Sequence, residues 1–322
     1  MKVLVVGGSG FAGHAIVRAM LADGHQLALL NRGSRPIEGT EQLSSDRDDH
    51  DALHAILKGR TFDAVVDTNC YTGRQAQDLI SALGGRVPLA VMISSAAVYA
   101  DAAAHPPSES APTGGSSAWG EYGREKTEAE AAYRDGGFRT AVALRPPYLF
   151  GPNDNLDRAT WFFRRIVAGK PILVPGLGGA KYQFLHEDGL GSAVCALLSG
   201  PQVGFRAFNV ADPEIVTAAE FPRTLADAVG RKVDIHLVGA AAGDLRPRDW
   251  YPFRDTDCVV EPTAFMREYG WRPASTIRQY LSEIFQSTAL KGELYGNAWS
   301  KNENDILKRL DKYNFIRTFR EP

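Results

Sequence analysis

The chain has 322 residues, of which 44% are hydrophobic and 23% are charged, as in ordinary globular proteins. This composition excludes collagen-like, coiled-coil and disordered chains, and the length predicts about two domains. Lys and Arg total 36 against 38 Asp and Glu, which gives a formal net charge of -2. No overall positive charge therefore favours binding to nucleic acid or to an anionic membrane.

The cysteines are isolated in the sequence. Cys70, Cys195 and Cys258 form no Cys-x-x-Cys pair and have no histidine cluster beside them, which argues against a disulfide framework and a zinc site.

The apolar run at residues 3–6 is too short for a signal peptide, and no later run reaches transmembrane length. We therefore expect a cytoplasmic protein without a metal or a membrane partner.

Apolar runs of strand length alternate with helical patterns through the first half of the chain. Strands are predicted at residues 3–6, 27–30, 64–66, 89–93 and 141–144, with helices at 11–21, 48–57, 74–83 and 119–133. The strand runs lack polar alternation, which is typical of parallel strands covered on both faces. The order predicts an α/β fold with a doubly wound parallel sheet.

The pattern changes after Gly151-Pro152, where glycine and proline become frequent. A helix at 186–198 and a strand at 207–210 are predicted to complete the main sheet. We therefore predict a first domain of residues 1–150 completed by about 187–212, and a smaller interleaved α/β substrate-binding region of residues 151–186 and 213–286.

The remaining residues, 287–322, are predicted to form a tail with a short amphipathic helix. Ile306, Leu307, Leu310 and Tyr313 recur at helical spacing, with basic residues between them. We interpret this segment as a docking helix or an oligomer contact.

A glycine-rich turn joins the first predicted strand to the first helix. Small residues at Gly7, Gly10 and Gly13 allow a tight turn, close backbone approach to a pyrophosphate, and close packing of helix on strand. Free N–H groups at the helix N-terminus favour phosphate. The stretch, which includes Ser9 and Phe11, therefore predicts a dinucleotide site of the Rossmann type.

The end of the second predicted strand bears on the choice of dinucleotide. An acidic residue there would bind the ribose hydroxyls of NAD, but the chain has Asn31 followed by Arg32 and Arg35, which can pair with a phosphate. We favour NADP, with NAD as the alternative, because Asn-Arg-Gly is also an ordinary turn. Asp46 and Arg47 are predicted to flank the adenine, although a helix N-cap would also account for Asp46.

A tyrosine and a lysine share one face of the fourth predicted helix. Tyr122 and Lys126 lie about 6 Å apart along the axis. The ammonium favours tyrosinate, so Tyr122 could exchange a proton with a substrate, and Lys126 could reach the nicotinamide ribose. Ser94 and Ser95 follow a strand, at the sheet edge where ligands bind. A hydroxyl there could hydrogen-bond the same substrate oxygen, and strand capping remains an alternative for Ser94.

Together these motifs resemble the extended short-chain dehydrogenase/reductase family, whose members include NAD-dependent epimerases, dehydratases and reductases of nucleotide sugars. The resemblance runs from Met1 to about Phe285 and rests on the glycine turn, Ser95 with Val98-Tyr99, Tyr122-x-x-x-Lys126, Leu144-Arg145-Pro146, Phe184-Leu185-His186 and Gly270-Trp271-Arg272-Pro273. It implies that Ser95 donates a hydrogen bond, that Tyr122 is the acid/base, and that Lys126 tunes Tyr122 and holds the cofactor. Further cofactor contacts are expected from Thr68, Asn69 and Pro147.

The chain departs from the family pattern where substrate would bind. Dehydratases of the family carry an Asp-Glu pair where this chain has Ala96 and Ala97, so a 4,6-dehydratase is not expected. Tyr148 and Tyr182 stand where relatives often place an Asn and an Arg that contact the diphosphate, which weakens nucleotide-sugar recognition. Substrate contacts are predicted for Ala96, Tyr148, Lys181, Tyr182, Gln183 and Arg246.

The resemblance therefore predicts an NAD(P)-dependent epimerase or ketoreductase acting on a small molecule of the sugar-nucleotide type, with a homodimer as a further expectation. A ketoreductase that tailors a natural product is an alternative. The loop Thr68-Asn69-Cys70-Tyr71 is similar to a branch with chloroplast stem-loop RNA-binding proteins, so a non-catalytic RNA-binding member is the rival. That rival predicts a broken Tyr/Lys pair and a basic surface, whereas here the pair is intact and the net charge is -2.

Overall fold

A computed structural model describes residues 1–200, 204–295 and 299–312. The strands are β1 (Lys2–Val6), β2 (Gln26–Asn31), β3 (Thr40–Ser44), β4 (Ala64–Asp67), β5 (Leu89–Ile93), β6 (Thr140–Arg145), β7 (Tyr148–Phe150), β8 (Ile172–Val174), β9 (Lys181–His186), β10 (Gly204–Asn209), β11 (Ile215–Thr217) and β12 (Ile235–Leu237). The helices are α1 (Phe11–Ala22), α2 (His50–Leu57), α3 (Gly73–Leu83), α4 (Glu121–Asp135), α5 (Arg158–Val167), α6 (Glu187–Ser199), α7 (Phe221–Ala228), α8 (Thr263–Tyr269), α9 (Ile277–Leu290) and α10 (Lys301–Lys312).

A parallel sheet of seven strands is the main feature of the first part of the chain, in the order β10–β6–β5–β4–β1–β2–β3. Val5 of β1 lies opposite Leu29 of β2 and Val66 of β4. Helices α1, α6 and α8 pack over one face and α2, α3 and α4 over the other. The predicted doubly wound α/β fold is confirmed, because burial on both faces requires the continuous apolar runs seen in the sequence.

The edge strand β3 was not predicted. Its sequence is Thr-Glu-Gln-Leu-Ser, and Leu43 alone is buried, because the strand has a neighbour on one side only. A five-residue edge strand with one buried side chain lacks the apolar run on which strand prediction depends.

The chain divides into two compact units. The first comprises Met1–Leu149, Leu185–Pro213 and Val259–Pro273, and the second comprises Phe150–Phe184, Glu214–Cys258 and the described residues from Ala274 onward. Residues 259–273 therefore differ from the prediction, which placed them in the substrate-binding region. Phe265 of α8 is fully buried against Phe208 of β10, with ring centroids 5.5 Å apart, and this contact holds the segment in the first unit.

The second unit has an aromatic core and small sheets of its own. Strand β11 pairs antiparallel with β9, and β12 pairs parallel with β8. Phe162, Phe184, Phe221 and Phe253 are fully buried, and neighbouring ring centroids lie 4.7 to 6.0 Å apart.

Helix α10 covers the amphipathic segment predicted in the tail, while Tyr313 lies outside the described residues. Glu303 is fully buried and binds Arg165 of α5 through two hydrogen bonds of 2.8 and 2.6 Å. The Glu303 carboxylate also accepts the N–H of Ser300 at 2.8 Å, which caps the helix. The helix is thus docked within the second unit, as the first of the two interpretations expects. Among the described residues, no helix has both the length and the apolarity to span a membrane.

We predict that Glu303→Gln lowers the free energy of unfolding by about 3–5 kcal/mol, because the buried Arg165 cation loses its partner. Urea unfolding followed by tryptophan fluorescence measures the change. The matched control is Lys301→Met, which breaks an ion pair to Asp305 from a side chain that is 90% exposed, and should change stability by less than about 1 kcal/mol. Equal effects of the two substitutions would contradict the prediction.

Candidate active site

The glycine turn after β1 is closely packed at two positions and open at a third. A Cβ on Gly7, whose φ is +97°, would lie 2.3 Å from Oγ1 of Thr68, and a Cβ on Gly13 would lie 2.8 Å from Cα of Gly8. A Cβ on Gly10 would meet no atom within 4 Å. The backbone at Gly10 therefore faces open space, which is where a ligand could approach it.

The N-terminus of α1 begins at this open position. Gly10 is the N-cap, no side chain caps the helix, and no acidic residue lies in its first turn. The first N–H groups of a helix, here those of Phe11 and Ala12, have no partner within the helix. An uncapped N-terminus beside open space fits the pyrophosphate of a dinucleotide.

Asn31 ends β2 and presents an unused donor. Its Oδ1 accepts the N–H of Gly33 at 2.7 Å, whereas its Nδ2 is buried and has no hydrogen-bond partner among the described residues. Arg32 and Arg35 follow and are exposed, and neither has an ion-pair partner within the described part of the chain. An unpartnered donor, followed in sequence by two exposed arginines, fits a phosphorylated ribose.

Arg47 does not lie where the sequence predicted. Its side chain is 7% exposed, and its guanidinium binds Asp67 at 2.7 and 3.0 Å and Oδ1 of Asn69 at 2.9 Å. Burial would lower the pKa of Arg47, but the charge and hydrogen bonds of Asp67 raise it above its ordinary value. The guanidinium thus fixes the loop after β4 and is not available to stack on an adenine.

Asp46 is exposed, and its carboxylate accepts the N–H of Asp48 at 3.1 Å. The N-cap of α2 is Asp49, whose side chain accepts the N–H of Ala52 at 3.0 Å. The alternative explanation of Asp46 as a helix cap is therefore wrong, and Asp46 shapes the turn before the helix.

The two serines after β5 have different surroundings. Ser94 is 3% exposed, and its hydroxyl donates to Oε1 of Glu130 at 2.5 Å. Ser95 is half-buried, and its Oγ accepts the N–H of Ala97 at 3.2 Å. Because that bond uses an acceptor lone pair, the hydroxyl hydrogen of Ser95 remains able to donate. Ser94 is occupied by a buried contact, which leaves Ser95 as the candidate donor.

Lys126 lies one turn after Tyr122 on α4 and is 3% exposed. Its ammonium donates to the carbonyl oxygens of Cys70 at 2.6 Å and Ile93 at 2.9 Å. Burial lowers the pKa of Lys126, although the charges of Cys70, Asp67, Tyr71 and Glu130 act in the opposite direction. Two of three ammonium hydrogens are thereby used, and one is left for a ligand.

The first turn of α4 packs closely against the residues that follow Ser95. A Cβ on Gly123 would lie 2.3 Å from the carbonyl oxygen of Ala97 and 3.0 Å from Cα of Gly115. Glycine at this position lets the helix backbone approach the end of the sheet. This approach brings the turn that carries the half-buried Tyr122 against the strand end that carries Ser95.

Trp119 is a candidate functional residue that the sequence analysis missed. Its ring centroid lies 6.5 Å from that of Tyr122 and 6.0 Å from that of Tyr148. The loop before α4 is fixed by the N–H of Ser117, which binds the Asp101 carboxylate at 3.1 and 3.2 Å. An aromatic residue three positions before the candidate tyrosine was the available signal. Trp119 and Tyr122 are half-buried and give this side of the site an aromatic surface, while the ring of Tyr148 is buried beside Trp119.

The remaining predicted contacts lie in different surroundings. Pro147 and Tyr148 are buried after β6, and Ala96 is half-buried with its N–H bonded to the carbonyl of Pro146 at 2.9 Å. In the second unit Lys181 is exposed at the start of β9, and Gln183 is 1% exposed. The side chain of Arg246 is 84% exposed and pairs with Asp249 at 3.1 Å.

Tyr182 requires a correction. Its ring is fully buried 5.0 Å from that of Phe253, and its hydroxyl donates to the carbonyl of Arg254 at 2.9 Å. The side chain belongs to the aromatic core of the second unit, so it offers no surface to a substrate. A tyrosine in a short apolar strand gives no sequence signal that separates these two roles.

Residues 3–211 match the model of the NAD dependent epimerase/dehydratase family, and the chain belongs to that family. The chloroplast stem-loop binding protein of 41 kDa b from Arabidopsis thaliana is 26% identical over 96% of this chain and 84% of its own. The 2'-dehydrokanamycin reductase of Streptomyces kanamyceticus is 28% identical over 72% of this chain and 67% of its own. The 2-alkyl-3-oxoalkanoate reductase of Stenotrophomonas maltophilia is 28% identical over 71% of this chain and 76% of its own.

Solved structures with the same fold are more distant in sequence. UDP-glucose 4-epimerase from Thermotoga maritima, solved with UDP-glucose, has a TM-score of 0.74 and 15% identity over 90% of this chain and 99% of its own. The dTDP-glucose 4,6-dehydratase from Bacillus anthracis, solved with NAD, has a TM-score of 0.73. Its sequence is 18% identical over 91% of this chain and 98% of its own. The family and the fold expected from the sequence are thus confirmed.

We predict that affinity for the nicotinamide cofactor falls at alkaline pH, and earlier than the ordinary lysine pKa of about 10.4 would give. Above its lowered pKa, Lys126 keeps two hydrogens, both of which its carbonyl partners can accept. Titration of NADPH fluorescence between about pH 7 and 10 measures the effect. Lys126→Met should bind more weakly at neutral pH and lack this alkaline decline, so that the two proteins converge as the pH rises. An identical pH dependence in the two proteins would contradict the prediction.

Proposed function

We propose that this chain is an NADP(H)-dependent ketoreductase that interconverts a keto carbon and a carbinol carbon. The observation that carries the proposal is the pairing of Ser95, whose hydroxyl remains able to donate, with the closely packed first turn of α4 that bears Tyr122. Lys126 stands one turn further along the same helix face.

Each side chain has a defined task in this proposal. Ser95 donates a hydrogen bond to the substrate oxygen, and Tyr122 gives that oxygen its proton in reduction or takes the proton in oxidation. Lys126 stabilises the tyrosinate by its charge and holds a ribose hydroxyl with its remaining hydrogen. The cofactor, when bound, supplies a hydride to the carbon, so that one hydride and one proton convert a ketone into an alcohol.

The choice of NADP rests on the end of β2. Nδ2 of Asn31 lacks a partner among the described residues, and the exposed guanidinium groups of Arg32 and Arg35 follow it. A neutral amide with two cations suits a 2'-phosphate better than the bare hydroxyls of NAD. NAD is present in several structural neighbours, so selectivity for NADP is proposed for this chain on its own residues.

A reductase is favoured over a dehydratase by the residues after Ser95. Ala96 and Ala97 offer no acid or base for removing water across two carbons. Two of the relatives are named as reductases, of 2'-dehydrokanamycin and of a 2-alkyl-3-oxoalkanoate. The half-buried ring of Trp119 beside Tyr122 is suited to an apolar face of such a substrate.

The test incubates the protein with NADPH and three kinds of ketone: 2'-dehydrokanamycin, a 2-alkyl-3-oxoalkanoate and a UDP-4-keto-hexose. NADPH consumption and product mass spectrometry are followed. We expect at least one substrate to gain a hydride and a proton. A parallel incubation supplies a UDP-hexose, and its conversion to the epimer without net NADPH consumption would replace this proposal by an epimerase. Loss of one water in a nucleotide hexose would contradict the role given to the alanines.

A non-catalytic function in binding RNA is the competing outcome, because the stem-loop binding relative aligns with 96% of the chain. Filter binding to a structured RNA across a range of salt concentrations tests it. Micromolar or tighter binding at physiological salt, without turnover of any ketone, would favour that outcome.

Tyr122→Phe should lower turnover by about 10²–10⁴-fold while leaving NADPH affinity within a few-fold of the wild type. The substitution keeps the ring and removes the transferable proton. Stopped-flow kinetics with the substrate identified above and NADPH fluorescence titration give the two values. Tyr269→Phe on α8, the same chemical change away from the site, should keep full turnover. Turnover within a few-fold of wild type in Tyr122→Phe would make Tyr122 an ordinary helix residue.

Arg32→Ala should weaken NADPH binding by about tenfold or more, since a hydrogen bond between charged groups contributes about 1.5–3 kcal/mol. The affinity for NADH should change little because NADH lacks the phosphate, which makes it the internal control. Isothermal titration calorimetry with both cofactors measures the difference. If Arg32→Ala weakened the binding of NADPH and of NADH equally, the proposed selectivity for NADP would be wrong.

A further inference from the structure

Helix α4 carries a third polar group on the face that bears Tyr122 and Lys126. Glu130 lies one turn beyond Lys126 and is 5% exposed. Residues at spacings of four share a helix face, so the three side chains form one stripe. Glu130 has no place in the chemistry proposed above, and a carboxylate is costly to bury without a function or a partner.

The Glu130 carboxylate is bound on both oxygens. Oε1 accepts the Ser94 hydroxyl at 2.5 Å and Nε of Arg145 at 2.9 Å, and Oε2 accepts Nη2 of Arg145 at 2.6 Å. Ser94 is 3% exposed and Arg145 is 4% exposed. Ser94 immediately precedes Ser95 at the end of β5, and Arg145 is the last residue of β6.

Arg145 extends the contacts to other parts of the first unit. Its Nη1 donates to the Tyr99 hydroxyl at 3.1 Å and to the Glu109 carbonyl at 3.2 Å. The Tyr99 hydroxyl donates in turn to Oδ1 of Asn209, at the end of β10, at 2.7 Å. The carboxyl ends of three strands are thus tied to α4 through buried side chains whose polar groups are bonded to one another.

We propose that Glu130, with Arg145 and Ser94, sets the position of α4 along the strand ends, so that Tyr122 and Lys126 stay aligned with Ser95. Glu130 is a positioning residue and does not touch the substrate. This inference rests on the proposed function, because it assigns a task to the network only if those three residues act together.

The chemistry of the groups explains why this task falls to Glu130. Lys126 reaches its two carbonyls through a flexible chain, and its ammonium accepts many approach angles. The Arg145 fork binds a carboxylate in two parallel hydrogen bonds of fixed geometry. A shift of α4 by a fraction of an ångström would therefore disturb the Glu130 pair first. Small displacements of catalytic groups cost large factors in rate.

The test compares Glu130→Gln with the matched control Glu128→Gln. Glu128 lies on the same helix, where its half-exposed carboxylate pairs with Arg124. Thermal stability, NADPH affinity and turnover are measured at a temperature where each variant is folded. We expect Glu130→Gln to lower turnover at least tenfold and to weaken NADPH several-fold, and Glu128→Gln to match the wild type in all three. Wild-type turnover in folded Glu130→Gln would overturn the proposal.

A second variant keeps the proposal testable if Glu130→Gln fails to fold. The pair Glu130→Leu with Arg145→Met removes both charges together, and such replacements of buried ion pairs often preserve stability. We expect this double variant to regain thermal stability while turnover stays at least tenfold low. If the double variant regained wild-type turnover together with thermal stability, the Glu130–Arg145 pair would have a structural role only, and the proposal would be overturned.

The two proposals fail in different ways. A wild-type protein that neither binds NADPH nor reduces any of the ketones overturns the function and the positioning role together. A wild type that binds and reduces, beside a folded Glu130→Gln variant with unchanged turnover and affinity, overturns the positioning role alone.

Discussion

The buried ammonium of Lys126 is the interaction on which the site depends. It bridges the carbonyls of Cys70, just after β4, and Ile93, at the end of β5, and so holds α4 across two neighbouring strands. Removing a cation from water is costly, and two carbonyl oxygens compensate only in part, since burial still lowers the pKa of Lys126. The two carbonyls use two of the three ammonium hydrogens and leave one at the edge of the sheet.

Two buried ion pairs of the first unit contact α4 through its side chains. Asp67 binds the Arg47 guanidinium and accepts the hydroxyl of Tyr133, a residue of α4, at 2.8 Å. Glu130 of α4 binds Arg145 in the same two-bond manner. Buried ion pairs contribute little to net stability compared with apolar packing of the same volume. Their fixed geometry accounts better for their presence beside a site that requires alignment.

The sequence predicted the sheet and the outline of the site because both have local signals. Parallel strands covered on two faces read as continuous apolar runs, and the packing of Gly7 and Gly13 leaves no room for a side chain. Tyr122 and Lys126 have helical spacing. The roles of Ser95, Tyr122 and Lys126 in catalysis stay predictions, although the structure distinguishes Ser95 from Ser94 by their hydrogen bonds.

The features that sequence reasoning missed depend on contacts between distant segments. Arg47 binds Asp67, which lies twenty residues further along the chain. No local sequence pattern predicts such a partner. Tyr182 is buried by Phe253, and α8 joins the first unit through Phe265, again at long range. Strand β3 has too little buried surface for a pattern. Each of these is decided by tertiary packing, which overrides local propensity.

The number of groups in the candidate active site that can exchange a proton limits the reactions it could catalyse. The proposal assigns the substrate oxygen to Ser95 at the strand end and to Tyr122 in the first turn of α4, and Ala97 between them in sequence is 1% exposed. In the proposed reaction, one substrate oxygen is hydrogen-bonded by Ser95 while it exchanges a proton with Tyr122. Reduction of a ketone needs one proton at one oxygen, whereas elimination of water needs a second acid or base at a neighbouring carbon. Under the proposed function, the alanines at 96 and 97 are consistent with ketone reduction, for which Ser95 and Tyr122 are sufficient.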